Sequence, residues 1–376
     1  MIIHIFPGDF FHITCQFIKS ISKRSSHQHF FLVPVFDKAN LEKCKTELIS
    51  IPKEQYFIFD SSYGTSIFKL IAFFMGNKGD KLLQEASVMR ALFKYRKEVI
   101  MSHFYFKSYC ISPFFKNYTW VCWGNIPELN SLSIIKKFKN WIIKTYLYSR
   151  CKRLIVLTKT DKDKLINSFN CKGERIEVLN YISTEMEEVL KTINLKNQDY
   201  NSKKILLGNN THLLSYYYNA LDYLVNYKED YIIYAMMSYG GATDDDILKF
   251  KDKVNVLFKD SFVCFTEFIP LEEYSQWLTQ FESYVCNAPT QSGMGVIYRM
   301  LYLGKKVFLH GLNLDWCIQK GLKVFPLDNI IDKNIYNALE FTDKDRNSNR
   351  DIVLSIMDSE KVKLKWDKFY TSLLEN

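Results

Sequence analysis

Short β-forming runs alternate with helical periodicity along this chain, and that alternation limits the possible folds more than any other feature. "MIIHIF" is rich in β-formers and ends at the turn signal Pro7-Gly8-Asp9, after which helical spacing runs through "HITCQFIKSI". "HFFLVPVF", "QYFIFD", "EVIMSHFYF", "NYTWVCWGN" and "RLIVLT" predict further strands. Helices are predicted at "SIFKLIAFF", over 132–150, and at "TDKDKLINSF", whose Thr160-Asp161 has the character of an N-cap. "RIEVLNYIS" is followed by the polar stretch "LKNQDYNSKK", the predicted linker. The alternation then restarts with "KILLGNN", "SYYYNALDYLV", "YIIYAMMSYG", "DDDILKFKDKV", the run "VNVLF", "LEEYSQWLTQF" and "SYVCNAP". It closes on "NAPTQSGMGVIYRMLYLGKKVFLH", which reads as strand, glycine loop, helix and strand. Strand–helix repetition of this kind predicts an α/β fold with two doubly wound, Rossmann-like domains. They are placed at 1–190 and 191–355, with an amphipathic helix over 356–376 packing back on the N-terminal domain. A chain of 376 residues is long enough for two such cores.

The bulk composition narrows the class. A chain that is 47% hydrophobic and 24% charged is globular rather than disordered. Its formal charge of +9 favours acidic partners: nucleic acid, an anionic membrane or phosphorylated substrates. The 9 cysteines show no C-x-x-C or metal-finger spacing, and the first residues carry no cleavable-signal pattern. A reduced, cytoplasmic protein is therefore expected. The longest apolar run, "LIAFFM", is too short to span a bilayer, so any membrane contact is expected to be peripheral.

Open α/β sheets bind ligands beyond the carboxyl ends of their strands, which directs attention to the residues immediately after each strand. Two such loops lie in the second half: Gly208-Asn209-Asn210-Thr211 and Gln291-Ser292-Gly293-Met294-Gly295. Neither matches the dinucleotide fingerprint or the P-loop. Each alone is more often a plain turn and cap. Both together, each at a strand-to-helix junction, point to a bound diphosphate, because glycine permits close approach and helix N-termini attract phosphate. Tyr239-Gly240-Gly241 follows a third strand and is a candidate further wall. The aspartates of "TDDDI" are read as a helix N-cap in preference to a metal site. "HQH" at 27–29 lacks a nearby third ligand and is read as a surface coincidence.

In the first half, Asp9, His12, His103 and Trp123-Gly124-Asn125 fall at strand ends. An Asp or His there is a candidate general base toward an acceptor hydroxyl, with a loop cap or a satisfied buried histidine as the alternative. Residues 131–153 carry Lys136, Lys137, Lys139, Lys144, Arg150, Lys152 and Arg153 among Phe138, Trp141, Tyr146 and Tyr148, with no acidic residue. The pattern fits a membrane-surface helix or a solvated basic face. No nucleic-acid-binding motif accompanies it, and no nucleic-acid partner is expected.

Taken in order, "HIFPGDF", "SHFYF", "WVCWG", "ILLGNNTHLLSYYYNALDYL", "FIPLEEYSQWLTQFESYVCNAPTQSGMGVIYRMLYLGKKVFL" and "LDW" resemble glycosyltransferase family 56. The match spans most of the chain and is strongest over 204–325. That family acts in enterobacterial common antigen assembly. It moves a 4-acetamido-4,6-dideoxygalactose unit from a dTDP-sugar to an undecaprenyl-diphosphate-linked saccharide. The resemblance implies a glycosyltransferase-B fold, two Rossmann-like domains facing a central cleft; with the diphosphate held by N–H donors and the Asp run read as a cap, neither a metal nor a resident cofactor is expected. It aligns Asp9 with the family's Gly-x-Asp, His103 with a family His, and Trp123-Gly124 with a Trp-Gly pair. Gly208, Asn209 and Ser215 align with a Gly-Asn-rich loop and helix start, and Gln291, Gly293 and Gly295 with a Gln-x-Gly-x-Gly segment. The implied roles are Asp9 or His103 as base and Trp123-Gly124 toward the lipid-linked acceptor; His12 and Asn125 join the acceptor side from their position at strand ends. The loops Gly208–Thr211 with Ser215, Tyr239-Gly240 and Gln291–Gly295 would hold a nucleotide-sugar. Lys136, Lys137, Lys139, Trp141 and Lys144 would hold the enzyme on the anionic inner face of the bacterial inner membrane. The family continues Trp-Gly-Ala-Asp where this chain has Trp123-Gly124-Asn125-Ile126. That departure leaves the acceptor open among common antigen, O-antigen and capsule intermediates; the alternatives are a UDP-, GDP- or CMP-linked donor, and a non-catalytic membrane-surface scaffold.

Overall fold

Every strand pairing described by the computed structural model is parallel, and the pairings form two separate sheets. The structure describes residues 1–6, 11–36, 38–63, 66, 77–103, 117–122, 152–180, 184–195, 198–238, 240–267 and 269–375. The chain divides into unit 1, Met1–Thr184 with Ser359–Asn376, and unit 2, Glu185–Asp358.

Unit 1 holds β1 (Ile2–Ile5), β2 (His29–Pro34), β3 (Tyr56–Phe59), β4 (Val99–His103), β5 (Asn117–Cys122), β6 (Arg153–Val156) and β7 (Ile176–Val178). Their spatial order is β3-β2-β1-β4-β5-β6-β7. Unit 2 holds β8 (Lys204–Leu207), β9 (Ile232–Met236), β10 (Phe262–Phe265), β11 (Ser283–Cys286), β12 (Lys306–Leu309) and β13 (Phe325–Pro326), in the order β10-β9-β8-β11-β12-β13. Each sheet reverses its winding once, between β1 and β4 and between β8 and β11, and at such a switch point neighbouring loops part to leave a crevice. Parallel strands are covered on both faces, which is why β1 is buried along its whole length and reads as unbroken apolar sequence around one histidine.

The two faces of the first sheet carry separate cores. One gathers Phe6, Phe17, Phe31, Met101 and Ile155, and the helix Ser359–Leu374 closes it with Val362, Trp366, Phe369, Tyr370 and Leu373. Trp366 is 1% exposed, its indole N–H donates to the Asn180 carbonyl at 2.8 Å, and its ring meets Phe17 edge-on at 5.7 Å. Trp366→Ala removes this ring and leaves a cavity, so unit 1 is expected to lose about 3–5 kcal/mol. Urea unfolding followed by tryptophan fluorescence measures it; a loss below about 1 kcal/mol would mean that the helix does not clamp the sheet.

Local readings failed in three places. "VNVLF" is the end of the helix Asp244–Phe258, where Phe250, Val254 and Phe258 recur every fourth residue and are buried; the strand is β10, further on. The N-cap of the helix Lys159–Phe169 is Thr158, which accepts from the Asp161 N–H, and Thr160 lies inside. The polar stretch read as a linker belongs to unit 2: Lys305 Nζ donates to the Asp199 carbonyl at 2.8 Å, and Arg350 donates to Tyr200 Oη at 2.9 Å. The predicted helix over 132–150, and that at "SIFKLIAFF" but for residue 66, lie outside the described residues. Among the described residues no helix is long and apolar enough to cross a membrane.

Candidate active site

The two glycine loops singled out in the sequence emerge from β8 and β11, the strands that flank the switch point of the second sheet. After Leu207 the Gly208 N–H still bonds to the Val285 carbonyl (2.8 Å), and the backbone then turns at φ +60°. A Cβ on Gly208 would sit 2.1 Å from the Tyr217 ring, so the loop can follow this path only without a side chain there. Tyr217 Oη lies 2.9 Å from the Asn210 carbonyl and 3.0 Å from the Met236 carbonyl, tying the ends of β8 and β9 together.

Gly293 begins the helix Met294–Tyr302 in a left-handed conformation, φ +66°, and no side chain caps it. By contrast Thr243 and Thr342 each form a full capping box at their helices. Val296 and Ile297 donate to the Gly293 carbonyl (2.9 and 3.0 Å), which makes the Met294 and Gly295 amides end-of-helix donors. A Cβ on Gly293 would come within 2.9 Å of Asn209 Oδ1 and 3.0 Å of Tyr284 Oη. The loops after β8 and β11 are therefore in direct contact at the switch point. The loop after β9 joins them: a Cβ on Gly240 would meet Thr211 Oγ1 at 2.3 Å, and the Ala242 N–H donates to that oxygen at 3.3 Å.

The predicted donor residues separate by position. Gln291, Ser292, Gly293 and Gly295 are half-buried, and Ser215 and Gly240 are exposed. Asn209, Asn210 and Thr211 are 5%, 8% and 5% exposed. Asn210 Oδ1 accepts the His212 N–H and Thr211 accepts from the neighbouring loop, so these two side chains shape the loop. Tyr239 lies outside the described residues.

Sequence reading missed Asn313. It lies in the helix Gly311–Gln319 after β12, is 0% exposed, and grips Ser292 from both sides: its Oδ1 accepts the Ser292 N–H (3.3 Å) and its Nδ2 donates to the Ser292 carbonyl (2.8 Å). An Asn in a helix carries no sequence signal for this. Arg299, 5% exposed, donates to the Gly295 carbonyl (3.1 Å) and Ser275 Oγ (3.1 Å), fixing the helix end from beneath. The aspartate run is a capping box: Thr243 Oγ1 accepts the Asp246 N–H, and Asp246 Oδ2 accepts from the Thr243 N–H (3.0 Å) and hydroxyl (2.7 Å). Those hydrogen bonds hold the Asp246 carboxyl below its ordinary range.

In unit 1, Asp9, Trp123, Gly124, Asn125, Lys136, Lys137, Lys139, Trp141 and Lys144 lie outside the described residues, as does the side chain of His12. His103 is the last residue of β4 and is 0% exposed, its ring 4.3 Å from Phe6 and its Nε2 2.9 Å from His4 Nδ1. The reading of "HQH" as a surface coincidence is overturned for His29, which is 7% exposed and bonds to His4 (2.9 Å) and Ser25 (2.7 Å).

No family model matches the chain, and no curated protein sequence matches it. Solved structures do. HepE of Anabaena, in complex with UDP and glucose, superposes with a TM-score of 0.65 at 14% identity, over 99% of this chain and 100% of that one. The Candida albicans trehalose-6-phosphate phosphatase N-terminal domain gives 0.63 at 12% identity, over 100% and 96%. A glycosyltransferase from Rickettsia africae gives 0.59 at 12%, over 100% and 99%. With its two parallel doubly wound sheets, the chain has the glycosyltransferase-B fold.

Proposed function

We propose that the chain is a Leloir-type glycosyltransferase whose unit 2 binds a nucleotide-sugar. The observation that carries this is the contact of Gly293 with Asn209 across the β8–β11 switch point, which sets an uncapped helix N-terminus beside a glycine turn. Helix-end N–H groups stabilise the charge that develops on a departing nucleoside diphosphate. On this reading the diphosphate is held without a metal, and turnover persists in excess EDTA; loss of turnover there would return a metal to the site.

The donor follows from the family 56 resemblance: a dTDP-linked 4-acetamido-4,6-dideoxyhexose, passed to a polyprenyl-diphosphate-linked saccharide in surface polysaccharide assembly. A UDP-sugar is the second reading, supported by the UDP and glucose in the HepE complex. Thermal shifts with dTDP-, UDP-, GDP- and CMP-sugars decide between them, and no shift with any of the four would sink the transferase reading. The basic aromatic segment would hold the protein at the cytoplasmic face of the inner membrane. Changing Lys136, Lys137 and Lys139 to Glu should then weaken sedimentation with anionic liposomes, and undiminished sedimentation would leave the segment a solvated face.

A further inference from the structure

His103, His4, His29, Ser25 and Asp367 form one continuous hydrogen-bonded file through the apolar face of the first sheet. His103 Nε2 lies 2.9 Å from His4 Nδ1, His4 Nε2 lies 2.9 Å from His29 Nδ1, and His29 Nε2 lies 2.7 Å from Ser25 Oγ. Ser25 Oγ accepts the His27 N–H at 3.2 Å and donates to Asp367 Oδ1 at 3.3 Å. A neutral imidazole has one N–H and one lone pair, so this last bond sets the polarity of the whole file. With the serine proton on Asp367, His29 donates from Nε2 to Ser25, His4 from Nε2 to His29, and His103 from Nε2 to His4. The file starts at the carboxyl end of β4, beside the switch point of unit 1. It ends at the opposite end of the sheet, where Asp367 sits on the closing helix with its side chain 22% exposed.

We propose that this file is a proton relay that takes up the proton of the acceptor hydroxyl at the carboxyl edge of β4 and parks it on Asp367; the proposal rests on unit 1 receiving the acceptor. His103 has no exposed surface, so it serves as a relay residue and does not itself touch the hydroxyl. The proton enters at His103 Nδ1 while each Nε2 proton moves one partner along, and the serine proton passes to the Asp367 carboxylate. The acceptor oxygen's electron pair forms the glycosidic bond as the sugar's bond to the diphosphate breaks. After the product leaves, the reverse passage releases the proton to water entering at the carboxyl edge of β4 and restores the array. Every ring stays neutral throughout, as its surroundings demand: Phe6, Phe17, Phe31 and the edge of Tyr370 enclose the rings. Among the described residues, the titratable groups facing the file include the Tyr370 phenol, whose ring lies 4.7 Å from that of His29, and the terminal amine, His27 and Asp367 at the far end.

Two-bond ¹H–¹⁵N correlation of the full chain with labelled histidine reads the polarity directly. The expected result is the Nε2–H tautomer at His4, His29 and His103; an Nδ1–H at any of the three overturns the relay. Asp367→Asn removes the terminal proton acceptor while keeping its shape. It should lower kcat about ten-fold with UDP-glucose or dTDP-glucose, whichever the thermal-shift panel selects. KM for the donor, the melting temperature and the tautomers should stay unchanged, and Asp367→Glu should recover the rate. Full turnover by Asp367→Asn overturns the relay even if the tautomers are as expected. If the wild-type chain shifts with none of the nucleotide sugars, it is the transferase reading that fails and with it the catalytic use of the file, while the tautomers still report the array.

Discussion

Gly293→Val is expected to abolish nucleotide-sugar binding, weakening it at least about 100-fold. Two effects add. A β-branched residue is strained at φ +66°, a conformation that costs roughly 1–3 kcal/mol for residues other than glycine. Its Cβ would also press on Asn209 Oδ1 and Tyr284 Oη, at 2.9 and 3.0 Å, so the Asn209 side chain must move off the helix start. The displaced side chain and the strained turn disturb the junction of the two loops, and the proposed diphosphate cradle is lost. Calorimetric titration with the sugar chosen by thermal shift measures the effect, and an unchanged dissociation constant would remove the loop from the donor site. Unit 1 should fold as before, because no residue of its cores is touched.

Acidification to pH 5 should destabilise unit 1 strongly. Burial holds His4 and His103 well below the ordinary histidine range, with the neighbouring imidazoles adding to the shift at His4, and it takes His29 down to about 3. The folded state therefore keeps these rings neutral, whereas the unfolded chain binds protons below about pH 6.5. Stability is complete above that pH and is lost as the pH falls toward the folded values, by about 2 kcal/mol per ring at pH 5. Asp161 acts in the opposite sense: burial raises its carboxyl to about 6, so its protonation favours the fold as the pH drops. It gives back about 1 kcal/mol at pH 5, leaving a net loss on the order of 5 kcal/mol. Urea midpoints at pH 7 and pH 5 measure the loss; equal midpoints would show that the three rings are not buried neutral in solution.

The period of the apolar runs was enough to read most strands and both sheets, because a strand buried on two faces must be continuously apolar and must end in polar or glycine residues. It misread "VNVLF" because a short apolar run satisfies either period, and only the burial of Phe250, Val254 and Phe258 on one helical face decides between them. The glycine loops were legible because Gly208 and Gly293 answer to local backbone geometry that no other residue meets cheaply. Asn313 and Arg299 were not legible, since their roles depend on which loop the fold brings beside them.

By itself, then, the sequence determined the α/β class, the doubling of the alternation and the strand ends at which ligands gather, all of which follow from local periodicity and backbone preference. Only the tertiary structure decided that the two loops meet at one switch point and that three histidines far apart in the chain line up across β1, β2 and β4. Strand order is set by the packing of whole elements, and no local pattern encodes which strand lies next to which.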